Sequence, residues 1–197
     1  LEIQRLNNDP TNPEAQRAIM QRIRNEQVEQ NRQLAMEHSP ESFTRVLMLY
    51  VPLRVQNTEI QAFIDSGAQT TIMSESCAKK CGVMRLLDTR FAGQAVGVGT
   101  AKILGKVHLA QINFGGTFFQ CSFTVLEDAT GDKNMEFLLG LDMLKRYQAS
   151  IDLKSNQLHM WAGDNCVSVP FLSEGELPES KGGTKGDKTE PRRLHPL

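Results

Sequence analysis

The residues best placed to do chemistry lie in one short run, Ala62-Phe63-Ile64-Asp65-Ser66-Gly67-Ala68. An apolar stretch delivers a carboxylate into a turn. Ser66 can hydrogen-bond neighbouring backbone, and Gly67 lets backbone N–H groups come close to the acid. A carboxylate held in this way is a candidate general acid or base. Asp, Ser and Gly are also what an ordinary strand-ending turn is made of, so the triplet takes its meaning from its surroundings.

Two other segments bear on it. Phe137-Leu138-Leu139-Gly140 is an apolar run ending in glycine, directly before a short helical stretch, and by itself it reads as a buried strand. Val96-Gly97-Val98-Gly99-Thr100 lies between strand-like segments and suits a mobile hairpin tip. A phosphate-binding loop fits it poorly: Lys102 stands where G-x-G-x-x-G needs its third glycine, and an all-β context is wrong for that motif. The four cysteines (Cys77, Cys81, Cys121, Cys166) and four histidines (His38, His108, His159, His195) make no ligand cluster by spacing. Cys77 and Cys81 have no second pair to complete a zinc site, so the cysteines read as free thiols in a reducing compartment and no metal or cofactor is expected.

The elements that must position these residues fall into three regions. Residues 1–41 read as helical. Asn12 can cap, Pro13 suits the first helical position, and Glu14 favours the positive end of the dipole. Ala15, Ile19, Ile23, Leu34 and Ala35 form a stripe too thin for a core of its own, so the segment is expected to complete a bundle that begins upstream. Ser39-Pro40 stops it. Residues 43–164 are strand-rich. Leu47, Leu49, Val51, Leu53 and Val55 alternate, then Ile60, Ala62 and Ile64, joined by a turn at Gln56-Asn57-Thr58. Pro52 places its strand at an edge or bulge. Gly115-Gly116 predicts a hairpin between Ile103–Ile112 and the alternating run Phe119, Cys121, Phe123, Val125. Short helices are predicted at Ser74–Cys81, stopped by Gly82, and at Leu141–Tyr147. Many short strands and two short helices mean an all-β domain, closed or sandwich-like. From residue 165 to 197 periodicity fades into an extended or disordered tail, with Phe171-Leu172 docking on the body and 181–186 as a solvated linker.

Composition sets the outer limits. The 197-residue chain is 40% hydrophobic and 23% charged, close to the globular average. With 22 basic and 23 acidic residues its net charge is -1, which carries no nucleic-acid signature. No apolar run approaches the roughly 20 residues of a membrane span. The chain opens at Leu1 without an initiating Met or a signal peptide and reads as a piece of a longer protein.

In this order and spacing, the Asp65 loop, the Gly97–Gly99 segment and Leu138-Leu139-Gly140 resemble the retroviral aspartic proteases. Closer still is the DNA-damage-inducible ubiquitin-shuttle branch. That likeness is carried by IDSGAQTTIMS at 64–74, GVGT at 97–100, LAQ at 109–111, CSF at 121–123, LGLDMLKR at 139–146 and FLSEGELP at 171–178. The resemblance implies a retropepsin-like closed barrel with short helices. Asp65 would be the catalytic carboxylate in a loop with Ser66, Gly67 and Ala68. Val96, Gly97, Val98 and Gly99 would form a flap closing over the peptide, and Val96, Val98, Ile72 and Leu138 an apolar cleft. Viral relatives carry an Asp at the position of Gln69 and an Arg at that of Leu141, a pair near their dimer interface. Here both are uncharged, so pairing of two chains is expected to use other contacts, such as the C-terminal strands. The polar stretch 127–136 reads as a surface insertion.

The chemistry implied by the resemblance needs two carboxylates, one taking a proton from water and one giving a proton to the scissile carbonyl oxygen. The chain holds one D-S-G loop, so the second acid must come from an identical chain across a two-fold axis, with Ser66 bonding across it. The expected partners are therefore a second copy and extended polypeptides. Ubiquitin and the proteasome are expected only through regions outside these 197 residues, in the cytoplasm and also the nucleus. Two other readings compete: a dimeric scaffold whose site is retired, and a non-proteolytic β-barrel whose glycine-rich hairpin is a ligand lid.

Overall fold

Asn12 starts the first helix as its side chain requires: Oδ1 accepts from the N–H groups of Glu14 (3.0 Å) and Ala15 (3.1 Å). In this computed structural model residues 12–97, 99–128 and 135–186 are described, with residues 94–97, 99 and 100 described by their backbone alone. The chain forms two compact units, Leu1–Val46 and Leu47–Leu197. In the first, α1 (Pro13–His38) runs to Ser39 and is followed by a 3-10 turn, Pro40–Phe43. Of the stripe Ala15, Ile19, Ile23, Leu34 and Ala35, Ala15 is buried, Ile19 and Ala35 are half-buried, and Ile23 and Leu34 are exposed, as are Met20, Val28 and Met36 along the same helix. No helix among the described residues is long and apolar enough to cross a membrane.

Among the described residues the second unit holds eleven strands, two short α-helices and three 3-10 turns. β1 (Tyr50–Val55) and β2 (Thr58–Ile64) make a hairpin, with Val51, Leu53, Val55, Ile60, Ala62 and Ile64 pointing into the core. β3 (Ile72–Ser74) leads into α2 (Glu75–Lys80), which Ser74 caps. Gly82, at φ 68°, ends that turn in the left-handed region. After the short β4 (Leu87–Asp88) come β5 (Gly93–Gly97) and the long β6 (Gly99–Phe114), which pair antiparallel as a hairpin reaching Gly97↔Gly99. β7 (Thr117–Leu126) returns along β6. Gly115 and Gly116, at φ 55° and 86°, turn this hairpin as the Gly-Gly pair predicts. β8 (Phe137–Leu139) precedes α3 (Leu141–Arg146), and β9 (Ser150–Asp152), β10 (Gln157–Ala162) and β11 (Asn165–Pro170) form a separate three-stranded sheet.

The main sheet runs β1-β2-β8-β3-β7-β6, and β6 meets β1 again at Arg54↔Asn113 and Val55↔Ile112, closing a six-stranded barrel. β4 and β5 add to β6 outside the ring. Pro52 has a ladder partner only in β2, the edge position that its missing N–H demands. The barrel is filled by interdigitated aromatic and aliphatic side chains. Phe114–Phe119, Phe119–Tyr147 and Phe123–Phe137 meet edge to face.

Two features differ from the sequence reading. The strands do not stop where the sequence reading begins a tail at residue 165: Asn165–Pro170 pairs residue for residue with β10, from Gln157↔Pro170 to Ala162↔Asn165. Val167 and Val169 are buried there, an alternation too short to stand out between polar neighbours. Beyond it the chain continues as a strap. Phe171 docks as predicted and Leu177 is fully buried. Lys181, read as part of a solvated linker, has a side chain only 6% exposed.

Candidate active site

β2 and β8 run parallel, Ile64 beside Leu139, so the strand that delivers Asp65 ends next to the apolar run that ends at Gly140. The Asp65 N–H donates to the Leu139 carbonyl (3.1 Å), which pins the backbone just where the strand stops. The Ala68 N–H then closes a turn onto the Asp65 carbonyl (3.3 Å), and the Gly67 N–H donates to Asp65 Oδ1 (2.8 Å). The carboxylate is thereby aimed by its own loop. It is half-buried, while Ser66 and Gly67 are exposed and Ala68 is half-buried. A Cβ on Gly67 would stand 3.1 Å from Asp65 Oδ1, so glycine leaves the acid its room.

The loop is braced from behind by β8 and α3. Leu141 N–H donates to Ala68 O (2.8 Å) and Asp142 N–H to Gln69 O (3.2 Å). Gly140 packs so closely on the loop that a Cβ there would lie 2.6 Å from the Thr70 carbonyl carbon and 2.7 Å from its oxygen. Substituting it would push the brace off the loop.

The sequence reading passed over two residues here. Thr71, the one fully buried polar side chain among the described residues, donates through Oγ1 (2.7 Å) and N–H (3.0 Å) to Asp142 Oδ1. Its hydroxyl in turn accepts from the Gly140 N–H (3.0 Å). Asp142 also accepts from the Met143 N–H (2.8 Å), in the first turn of α3 where a carboxylate is favoured. Thr71 and Asp142 therefore lock the exit of the Asp65 loop to the helix behind it. Asp142 lies far along the chain from Thr71, and an acid opening a helix signals only a helix start. No local pattern could have found the pair.

Of the cleft residues expected from sequence, Ile72 and Leu138 are brought together, as direct partners on β3 and β8. Leu138 is 7% exposed and Ile72 half-buried, both at the end of the barrel where Asp65 sits. Val96, Gly97 and Gly99 fall in the β5–β6 hairpin by backbone register, whereas Val98 lies outside the described residues. Much of residues 127–136, the expected insertion, also lies outside them; within it, Glu136 is held by Lys80 and Lys181.

Comparison with known proteins places this geometry. The aspartyl protease family model matches residues 40–152. DNA damage-inducible protein 1 of Cryptococcus neoformans is 54% identical over 178 residues, 90% of this chain and 39% of that protein. Human protein DDI1 homolog 2 is 53% identical over 171 residues, 87% of this chain and 41% of that protein. The chain thus spans well under half the length of the curated relatives it matches. Among solved structures, the retroviral protease-like domain of Ddi1 from Leishmania major superposes with a TM-score of 0.59 at 45% identity, covering 68% of this chain and all of that one. With its closed barrel and its braced Asp-Ser-Gly loop, the chain belongs to the aspartyl protease family, as a retropepsin-like domain of the DNA damage-inducible branch.

Proposed function

We propose that the chain is the protease unit of an aspartic endopeptidase that works as a homodimer. In this reading it hydrolyses extended segments of ubiquitinated or otherwise proteasome-directed proteins. The observation that carries it is the Asp65 loop: one carboxylate per barrel, aimed by Gly67 and braced by Gly140, at the edge of an apolar strand end. Water attack on a peptide carbonyl needs a second acid, which an identical chain across a two-fold axis supplies. Asp65 of one subunit then takes a proton from water while its twin protonates the carbonyl oxygen. Ser66 reaches across the axis to hold the two loops level. Ile72 and Leu138 form the floor of the cleft, and the β5–β6 hairpin with Val96, Gly97, Val98 and Gly99 forms the flap. No covalent intermediate forms, so no Ser–His or Cys–His pair is required.

A second copy has a surface to meet. A recess of about 490 Å³ beside Ser66 is lined by Leu141, Leu144, Ala149 and Ile151, with Lys145 and Gln148 at its rim. β9 is an edge strand of the small sheet, with its outer ladder free to pair among the described strands. Residues 1–41 are read as the end of a helical domain that begins upstream. Contacts with ubiquitin and the proteasome belong to parts of the full-length protein beyond these residues, in the cytoplasm and nucleus.

Asp65→Asn tests the reading. The variant is expected to sediment as a dimer and to cleave neither an extended apolar peptide nor polyubiquitinated protein. Wild-type turnover in that variant would remove Asp65 from the mechanism. A wild-type dimer that cleaves nothing would leave a scaffold. Turnover is expected to rise toward acid pH, where the paired acids share one proton. A flat profile through neutral and alkaline pH would point to other chemistry.

A further inference from the structure

Away from the Asp65 loop, two sulfur nucleophiles lie in contact. Cys77 sits in α2 and Cys81 caps its C-terminus, with Sγ atoms 3.9 Å apart and residues 1% and 5% exposed. Residues four apart in a helix have Cα atoms about 6.2 Å apart, within the roughly 4.4–6.8 Å that disulfides span. Cys81 ends the helix, its N–H shared between the carbonyls of Cys77 and Lys79, and the left-handed Gly82 follows. Only the last turn has to yield for the sulfurs to meet.

The two thiols are also unequal. Either thiol can donate across the 3.9 Å contact, and the bond with Cys77, with help from Lys80 and against burial, holds Cys81 below the ordinary thiol range. The same bond, together with burial, pushes Cys77 far up. One sulfur is thereby set up to attack and the other to follow with its proton.

We propose that Cys77 and Cys81 are a dithiol that hydrogen peroxide oxidises reversibly, the disulfide loosening α2 and lowering turnover at the Asp65 site. The Cys81 thiolate attacks one peroxide oxygen and breaks the O–O bond, leaving a sulfenic acid and, with a proton, one water. Cys77 sulfur then attacks the Cys81 sulfur, its proton leaving with the hydroxyl as a second water. Two electrons pass from sulfur to peroxide, and a thiol reductant reverses the change. The ring closed is a single turn of chain, so the cross-link gains little from chain entropy, which suits a reversible bond better than a structural one.

The consequence follows from what α2 holds. The Thr58 hydroxyl donates to Lys80 O, Lys80 pairs with Glu136, and the Glu136 carbonyl accepts from the Ser74 N–H. Ser74 ends β3 and Glu136 leads into β8, the strands that carry Ile72 and Leu138. The effect on turnover rests on the protease reading; the disulfide does not.

The test uses the reduced chain carrying Cys166→Ala, which removes the exposed thiol, treated with one equivalent of hydrogen peroxide. The expected result is a loss of about 2 Da, mapped to a Cys77–Cys81 cross-link, with faster amide exchange over 75–83. Cleavage falls several-fold, and dithiothreitol restores all three. Cys81→Ala, and independently Cys77→Ala, keep their turnover and stop responding to peroxide. Cys77 and Cys81 still fully alkylatable after treatment would overturn the proposal, as would a cross-link that changes neither exchange nor turnover. A reduced chain that cleaves nothing counts against the protease reading alone, because mass and exchange still decide the disulfide.

Discussion

Thr71 carries more of the site than its type suggests. Its hydroxyl both donates to Asp142 and accepts from Gly140, so one oxygen joins the loop after Asp65, the end of β8 and the start of α3. Asp142→Ala strands a buried N–H and hydroxyl on Thr71, at a cost of about 2–4 kcal/mol, since unmade buried hydrogen bonds forfeit full desolvation. The expected outcome is a clearly lower Tm, faster amide exchange at Thr71, and a fall in kcat exceeding any change in KM. Asp142→Asn keeps an acceptor and recovers part of the loss. An unchanged Tm in Asp142→Ala would show that the pair braces nothing. Asp65 was legible in the sequence because its whole apparatus, strand, serine and glycine, lies within a few residues. Thr71 and Asp142 were not, because their bond joins a loop to a helix far along the chain, which only the pairing of β3 with β8 brings together. Gly140 stood between these cases: its run was conspicuous, but its contact with the Thr70 carbonyl is a fact of packing.

At the scale of elements, the strap after β11 ties the barrel's outer face to the entry of β8. Leu172 N–H donates to Tyr50 O (2.8 Å), Gln61 Nε2 donates to Glu176 O (3.2 Å), and Lys181 Nζ reaches Gln61 Oε1 (3.1 Å) and Glu136 Oε2 (2.8 Å). Lys181 also lies 5.5 Å from the centre of the Tyr50 ring. Burial alone would raise the Glu136 carboxyl, but Lys181 and Lys80 outweigh it and hold it below its ordinary 4.5. A lowered folded value means that the ionised form stabilises the fold. The contribution is complete above pH 4.5 and disappears as pH falls through the lower folded value. Glu136→Gln leaves Lys181 without its anion and is expected to cost about 1–3 kcal/mol at pH 7. The Tm gap to wild type should narrow steadily below pH 4.5. A gap that stays constant with pH would assign the loss to packing. Alternation made β1, β2 and β7 readable. It breaks within β6, read as a strand over Ile103–Ile112 from the Gly-Gly turn, because a bulge between Val107 and Ala110 shifts the phase and leaves His108 and Leu109 both exposed. It failed on the strap as well, where two buried apolar residues and one lysine follow no period.

The molecule as a whole adds a constraint that neither residue nor element shows. The parallel pairing of β2 with β8 and of β3 with β7 brings the chain's one Asp-Ser-Gly loop to one end of the barrel, and leaves Ser66 exposed beside the recess under Ile151. If catalysis needs two Asp65 carboxylates, activity belongs to pairs and not to chains, and arithmetic separates the two cases. Wild type and Asp65→Asn, mixed one to one and left to exchange, give random pairs of which about a quarter are wild type on both sides. Activity per total protein should then fall to about a quarter of that of pure wild type. If each chain acted alone it would fall only to about a half, whatever the concentration. Ile151→Glu puts a charge into the recess and should shift the pairing equilibrium toward monomers, so that its turnover is lost on dilution well before that of wild type. A mixing curve that stays linear in the wild-type fraction, with Ile151→Glu as active as wild type at every concentration, would mean that the second acid does not come from a second copy.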